Sequence, residues 1–133
     1  YTGWISSEGP FVAEFERQMS GIANRQYGIA VSNGTAALEI AARAIGIQEG
    51  DEVIMPAFTI ISCAMAVTKL GGVPVLVDSD LYTWNMKEEE IEEKITERTK
   101  AIMMVHLYGL PANVDKIMEL AKKHHLKVIE DAE

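Results

Sequence analysis

The tetrapeptide Ser32-Asn33-Gly34-Thr35 separates an apolar run from an Ala- and Leu-rich segment, as at the junction between a strand and a helix. There the backbone N–H groups of Gly34, Thr35 and Ala36 would point at an incoming anion. Gly34 lets the backbone approach closely, and the Thr35 hydroxyl adds a donor. A phosphate is the natural guest; the plainer alternative is that Ser32 or Asn33 only caps the helix. The second signal is Asp131, at the end of Lys127-Val128-Ile129-Glu130-Asp131. An acid delivered from an apolar strand needs a cationic partner to stay ionised at low solvent exposure. A protonated pyridine nitrogen would serve, and an ordinary strand-end acid or helix N-cap is the alternative. No Gly-x-x-x-x-Gly-Lys-Ser/Thr loop and no Gly-x-Gly-x-x-Gly occurs, so the phosphate is not that of a nucleoside triphosphate or dinucleotide held by those loops.

The elements that must position these residues alternate along the chain. Tyr1 to Pro10 reads as an irregular opening segment, and Phe11 to Met19 as a helix with Phe11, Val12, Phe15 and Met19 on one side. Tyr27 to Val31 reads as a strand and Ala36 to Ile45 as a helix stopped by Gly46. Asp51 to Met55 is strand-like and ends at Pro56; Thr59 to Leu70 reads as a nearly all-apolar buried helix. Val73 to Val77 follows as a buried strand. Glu88 to Ile95 is amphipathic, Ala101 to Val105 a strand, Val114 to His124 a helix and Leu126 to Ile129 a strand. This alternation predicts an α/β fold with a mostly parallel sheet covered by helices on both faces. Ligands of such sheets bind outside the carboxyl ends of the strands. Four loops qualify: Ser32 to Thr35, Pro56 to Ile60, His106 to Gly109, and Asp131 to Glu133.

Composition narrows the class without naming a chemistry. The chain has 133 residues, enough for one domain, and its 48% hydrophobic content excludes a disordered chain. Twenty acidic residues against 12 basic ones give a net charge of −8, which argues against nucleic-acid binding. No apolar run reaches membrane-spanning length. The lone cysteine, Cys63, makes no internal disulfide and predicts a reducing, cytoplasmic setting. The chain starts at Tyr1 and stops at Glu133 just after a strand-like run, so it reads as a piece of a longer protein.

Further segments join these signals in a familiar order. They are "TGWISSEG" at Thr2 to Gly9, "VSNGTAALEIA" at Val31 to Ala41 and "GDEVIMPAFTIISCAMAV" at Gly50 to Val67. "PVLVDSDLYTWN" at Pro74 to Asn85, "TKAIMMVHLYGLPANVD" at Thr99 to Asp115 and "LKVIEDAE" at Leu126 to Glu133 complete the set. With these the chain resembles the first third of the sugar-nucleotide aminotransferases of the DegT/DnrJ/EryC1/StrS family, and most of all its perosamine-synthase-like members. The resemblance implies the type I fold of pyridoxal-phosphate enzymes, an aspartate aminotransferase-like large domain. Residues 1–133 would be its N-terminal part, with the rest of that domain and a small C-terminal domain lying beyond.

The implied cofactor is pyridoxal 5′-phosphate, and the implied reaction moves an amino group, with glutamate as donor, onto a 4-keto-6-deoxy sugar carried on a nucleotide. Residue by residue, the resemblance implies that Gly34, Thr35 and Ala36 hold the cofactor phosphate and that Asp131 pairs with the pyridine nitrogen. Many relatives carry an aromatic ring at the position of Ile60; here stacking on the cofactor face becomes aliphatic packing. The lysine that condenses with the cofactor aldehyde lies downstream of the Glu-Asp-Ala segment in the family, hence beyond Glu133. Lys69, Lys100, Lys122, Lys123 and Lys127 match no catalytic position and read as surface charge. The family also implies a homodimer when complete. Rival readings are a dehydratase of the same family with histidine in place of that lysine, a catalytically silent sensor or interaction domain, and an unrelated nucleotide-binding domain.

Other features read as structural. The acidic run Glu88 to Lys94 is a solvated helix face, His124-His125 a helix C-terminal pair without metal-ligand spacing, and Cys63 a packing residue. His106 is weighed as either a ligand contact or a structural hydrogen bond at a strand end.

Overall fold

The computed structural model describes residues 9–133, so the opening segment before Gly9 and most of the "TGWISSEG" match lie outside the described residues. The chain divides into two compact units, Tyr1–Asn33 and Gly34–Glu133.

The first unit holds helix α1 (Pro10–Ile22), opened by a proline at its first turn, where the missing N–H costs nothing. Phe11, Phe15, Met19 and Ile22 share a face by their spacing, and all four are exposed. Glu14 takes two hydrogen bonds from Arg17, at 2.9 and 2.6 Å, one turn along the helix. The strand expected over Tyr27 to Val31 is absent: the segment pairs with no strand among the described residues. Its Ala30 N–H donates instead to the Glu16 carboxylate at 2.8 Å, which ties it to α1.

The second unit is a four-stranded, wholly parallel sheet. Its elements are α2 (Gly34–Ala44), β1 (Glu52–Pro56), α3 (Ile61–Thr68), β2 (Val73–Val77), β3 (Thr99–Val105), α4 (Val114–Lys123) and β4 (Lys127–Asp131). The spatial order is β2-β1-β3-β4, with Ile54 opposite Ile102 and Val105 opposite Asp131. Strand alternation sends Val53, Met55, Ala101, Met103, Val105 and Ile129 toward Leu38 and Ala42 of α2 and Cys63, Ala66 and Val67 of α3. Ile54, Ile102 and Met104 go the other way, to Ile91 and to Ile117 and Ala121 of α4. The α/β expectation, with cover on both faces, therefore holds, and the central strands β1 and β3 supply most of the buried volume. No described helix is long and apolar enough to cross a membrane.

Three expectations change. β2 is an edge strand, not a buried one: Val73 and Leu76 are exposed and only Val77 is fully buried. α3 buries one face, while Ile61 and Met65 remain exposed. The acidic run forms two short 3₁₀ turns, Glu88–Glu90 and Glu92–Lys94, instead of an α-helix. Glutamates at i,i+4 (88 with 92, 89 with 93) repel on a helix, and Ile91 alone is fully buried in that stretch. Glu92 finds cations elsewhere, at Lys123 (2.6 Å) and His124 (2.9 Å) on α4. His125 takes a left-handed backbone, φ 57°, just past α4, and the Leu126 N–H reaches back to the Ala121 carbonyl at 2.8 Å, a helix-terminating pattern that accounts for the histidine pair.

Candidate functional site

Parallel strands deliver all their carboxyl ends to one edge, and there the second unit opens into a cavity of about 420 Å³. Phe58, Thr59 and Ile60 of the loop after β1 line it, with Val105 to Tyr108 from β3 and its loop, and Asp131 and Glu133 from the end of β4. No lysine lines it. The Pro56–Ile60, His106–Gly109 and Asp131–Glu133 loops thus meet as the alternation predicts.

Asp131 is the most enclosed polar group there, 9% exposed. Its carboxylate accepts the Cys63 thiol at 3.3 Å and, more weakly, the Glu133 N–H at 3.4 Å. Its backbone carbonyl takes the His106 N–H at 3.0 Å, which locks the strand end to β3. Among the described residues no Lys, Arg or His is paired with this carboxylate. A buried acid without a cation is costly. A ligand carrying an N–H⁺ is the partner that would relieve it.

Thr35 lies at the start of α2, and its hydroxyl shares a 2.9 Å hydrogen bond with Ser62 in the first turn of α3. Ser62 is adjacent in sequence to Cys63, which holds Asp131. Two consecutive residues of one helical turn therefore tether Thr35 and Asp131 to the same edge of the sheet. Gly34 begins α2, and a side-chain carbon on it would lie 2.6 Å from Glu133 Oε2. A carboxylate thus already rests against the first residue of this helix, the position an anion favours. Ala36 continues the same turn, and Ile60, half-exposed, forms a cavity wall immediately before α3. These observations fit a ligand with an anionic tail and a protonated heteroaromatic ring.

His106 makes the structural hydrogen bonds weighed for it. Its Nδ1 accepts the Ala112 N–H at 3.1 Å, which leaves the proton on Nε2, 3.0 Å from Glu130 Oε1. Both ring nitrogens are hydrogen-bonded within the protein, and His106 also lines the cavity. Of the lysines set aside, Lys69 is paired with Glu39 and Lys123 with Glu92.

Cys63 is buried, as its apolar neighbours predict, but it is also a hydrogen-bond donor, a role invisible without the fold. Burial pushes its thiol up to about 11, the Thr59 hydroxyl at 3.4 Å opposes this, and the Asp131 carboxylate adds to it. At pH 8 roughly one thiol in a thousand would be ionised. Iodoacetamide treatment of the folded full-length protein at pH 8 should leave Cys63 unmodified by mass spectrometry, with complete modification after denaturation. Rapid labelling without denaturant would contradict this environment.

Thr59, Ser62 and Glu133 complete the site; Thr59 and Glu133 fall in two of the loops that the strand–helix alternation picks out, Ser62 in none of them. Small polar residues interrupting the apolar stretch Ile60 to Val67 were the available signal for Ser62.

Comparison with known proteins places this arrangement. The sequence profile of the DegT/DnrJ/EryC1/StrS aminotransferase family matches residues 1–133. The chain is similar to the GDP-perosamine synthase of Escherichia coli O157:H7, 51% identical over 128 residues, covering 96% of this chain and 35% of that protein. It is 47% identical over 130 residues to the dTDP-3-amino-3,6-dideoxy-alpha-D-galactopyranose transaminase of Aneurinibacillus thermoaerophilus, covering 98% of this chain and 36% of that one. Among solved structures, NtdA from Bacillus subtilis with bound cofactor PMP superposes with a TM-score of 0.89 at 43% identity, over 94% of this chain and 29% of that one. The chain spans about a third of the length of the curated relatives it matches.

Proposed function

The chain belongs to the DegT/DnrJ/EryC1/StrS aminotransferase family, and from that premise we propose that it is the N-terminal part of the cofactor-binding large domain of a pyridoxal 5′-phosphate-dependent aminotransferase. The substrate is a keto sugar on a nucleotide carrier, in amino-sugar biosynthesis, and the amino donor is glutamate. The observation that carries the reading is the tether from Thr35 through Ser62 and Cys63 to Asp131. It holds the first turn of α2 and a buried carboxylate at one edge, which supports the reading. The names of the relatives support the substrate class.

Each residue has a task in this reading. Gly34, Thr35 and Ala36, the first turn of α2, hold the phosphate; Thr35 also offers its hydroxyl. Ile60 packs on the ring face. Asp131 keeps a proton on the pyridine nitrogen, because a carboxylate beside the ring favours its charged form. Cofactor bound there supplies an electron sink for the bond broken at the amino donor's α-carbon. The Asp131 carboxylate acts best with water excluded, and its burial between β3 and α3 does that. The lysine that attaches the cofactor is sought downstream of Glu133. A homodimer of the complete protein follows from the family resemblance, and a cytoplasmic setting from the lone cysteine.

The test uses the full-length protein. Mixed with pyridoxal 5′-phosphate, it should acquire a visible absorbance band that glutamate bleaches. No bleaching by any amino donor overturns the aminotransferase reading. Thr35→Ala should weaken cofactor retention about tenfold by calorimetry, the equivalent of one hydrogen bond to a charged group. Unchanged affinity would remove Thr35 from the phosphate site.

A further inference from the structure

The loop after β3 turns back on itself in two residues. The Leu107 N–H donates to the Leu110 carbonyl at 3.2 Å, and the Leu110 N–H donates to the Leu107 carbonyl at 2.8 Å. Between them Tyr108 has φ 49° and Gly109 φ 84°. Two positive values in succession demand residues such as Asn-Gly. Gly109 meets that demand. Tyr108 does not, since a Cβ-bearing ring residue is strained in the left-handed region.

Among the described residues nothing packs on Tyr108 that would require a tyrosine. It is 93% exposed, so the core does not need it, and its ring packs on no other aromatic ring among the described residues. The other non-glycine residues with positive φ each have a local explanation. Asn24 tolerates the conformation, and His125 ends α4. Trp84 packs its ring against Phe58 with centroids 5.3 Å apart. Tyr108 alone combines strain, exposure and a place on the cavity lining. Strain retained beside a cavity marks a residue kept for what enters it.

Resting on the function proposed above, we propose that Tyr108 is a recognition residue for the sugar nucleotide, packing its ring on that substrate at the cavity mouth. Its position selects the substrate over the cofactor. Asp131 sits in the enclosed part of the cavity, whereas Tyr108 stands at the open rim and meets the group that enters last. A phenol ring suits a sugar nucleotide because it gives a large rigid contact at low entropic cost and a hydroxyl for the polar edge.

The experiment compares full-length wild type, Tyr108→Asn and Tyr108→Phe, with GDP-4-keto-6-deoxymannose as the probe. Asn suits the turn and lacks the ring. Tyr108→Asn should melt about 2 °C higher than wild type, bind the probe about tenfold more weakly and retain pyridoxal 5′-phosphate equally well. Tyr108→Phe should bind the probe within about twofold of wild type, since it keeps the ring. Unchanged probe affinity in Tyr108→Asn overturns the assignment, and so does a lower melting temperature, which would make the ring a fold element. Lost cofactor retention in that variant would move Tyr108 to the cofactor end and overturn it too. Wild-type protein that takes up neither cofactor nor probe overturns the function itself, an outcome visible before any variant is made.

Discussion

Asp131→Asn in the full-length protein should keep pyridoxal 5′-phosphate bound and lose turnover by at least about 100-fold. The substitution is nearly isosteric, and the new amide oxygen can still accept the Cys63 thiol, so the end of β4 has no steric reason to move. Thr35 and the first turn of α2 are untouched, which preserves the phosphate end. What disappears is the negative charge, and with it the means of keeping a proton on the ring nitrogen. Because the Cys63 hydrogen bond is kept, the cofactor-free protein should be no less stable. The check is kcat, cofactor stoichiometry and melting temperature on one preparation. Equal turnover would contradict the ring-pairing role; lost cofactor with normal kcat in excess cofactor would assign Asp131 to binding alone.

Why Asp131 and Thr35 could be found from sequence, while their connection could not, has a physical basis. Each ends or begins an element whose hydrophobic pattern is local, so its place at the carboxyl edge follows from the strand–helix alternation. The buried strands were legible for the same reason: Val53 to Met55 and Ala101 to Val105 are continuous apolar runs because both faces of the sheet are covered. The Ser62 and Cys63 tethers depend on α2, α3 and β4 meeting, which no local window contains. The same limit explains the errors. Val73 to Val77 reads like a core strand, yet whether a strand lies at an edge depends on what pairs beside it. Tyr27 to Val31 has strand-forming residues, but a strand exists only with a partner, and Ala30 bonds to Glu16 instead. The hydrogen bond from the Ala112 N–H to His106 Nδ1 depends on the turn between them, not on the strand pattern. The cofactor itself came from the family resemblance, not from any spacing in the chain.

The opposite edge of the sheet predicts a large effect on stability with none on chemistry. Glu52 begins β1 at the amino end, away from the cavity, and is only 5% exposed. Its carboxylate accepts the hydroxyls of Thr96 and Thr99 and two N–H groups of Arg98, at 3.0 and 2.6 Å. Its backbone N–H also donates to the Arg98 carbonyl at 2.8 Å, so one residue closes the turn leading into β3 onto β1. The Thr96 hydroxyl, followed by the Arg98 guanidinium, outweighs burial and holds this carboxyl below its ordinary value of 4.5. Glu52→Ala should cost about 2–3 kcal/mol at pH 7, less than for a fully buried pair because Arg98 itself is largely exposed. The pH dependence has a definite sign. A carboxyl depressed in the folded state contributes stability above its unfolded value, and that contribution fades as pH falls through the folded value. Urea unfolding of wild type and Glu52→Ala should therefore show a gap that is full at pH 7 and narrows steadily below about pH 4.5. A gap independent of pH would mean that the side chain acts through packing instead of charge, while turnover per folded molecule should be the same in both proteins at pH 7.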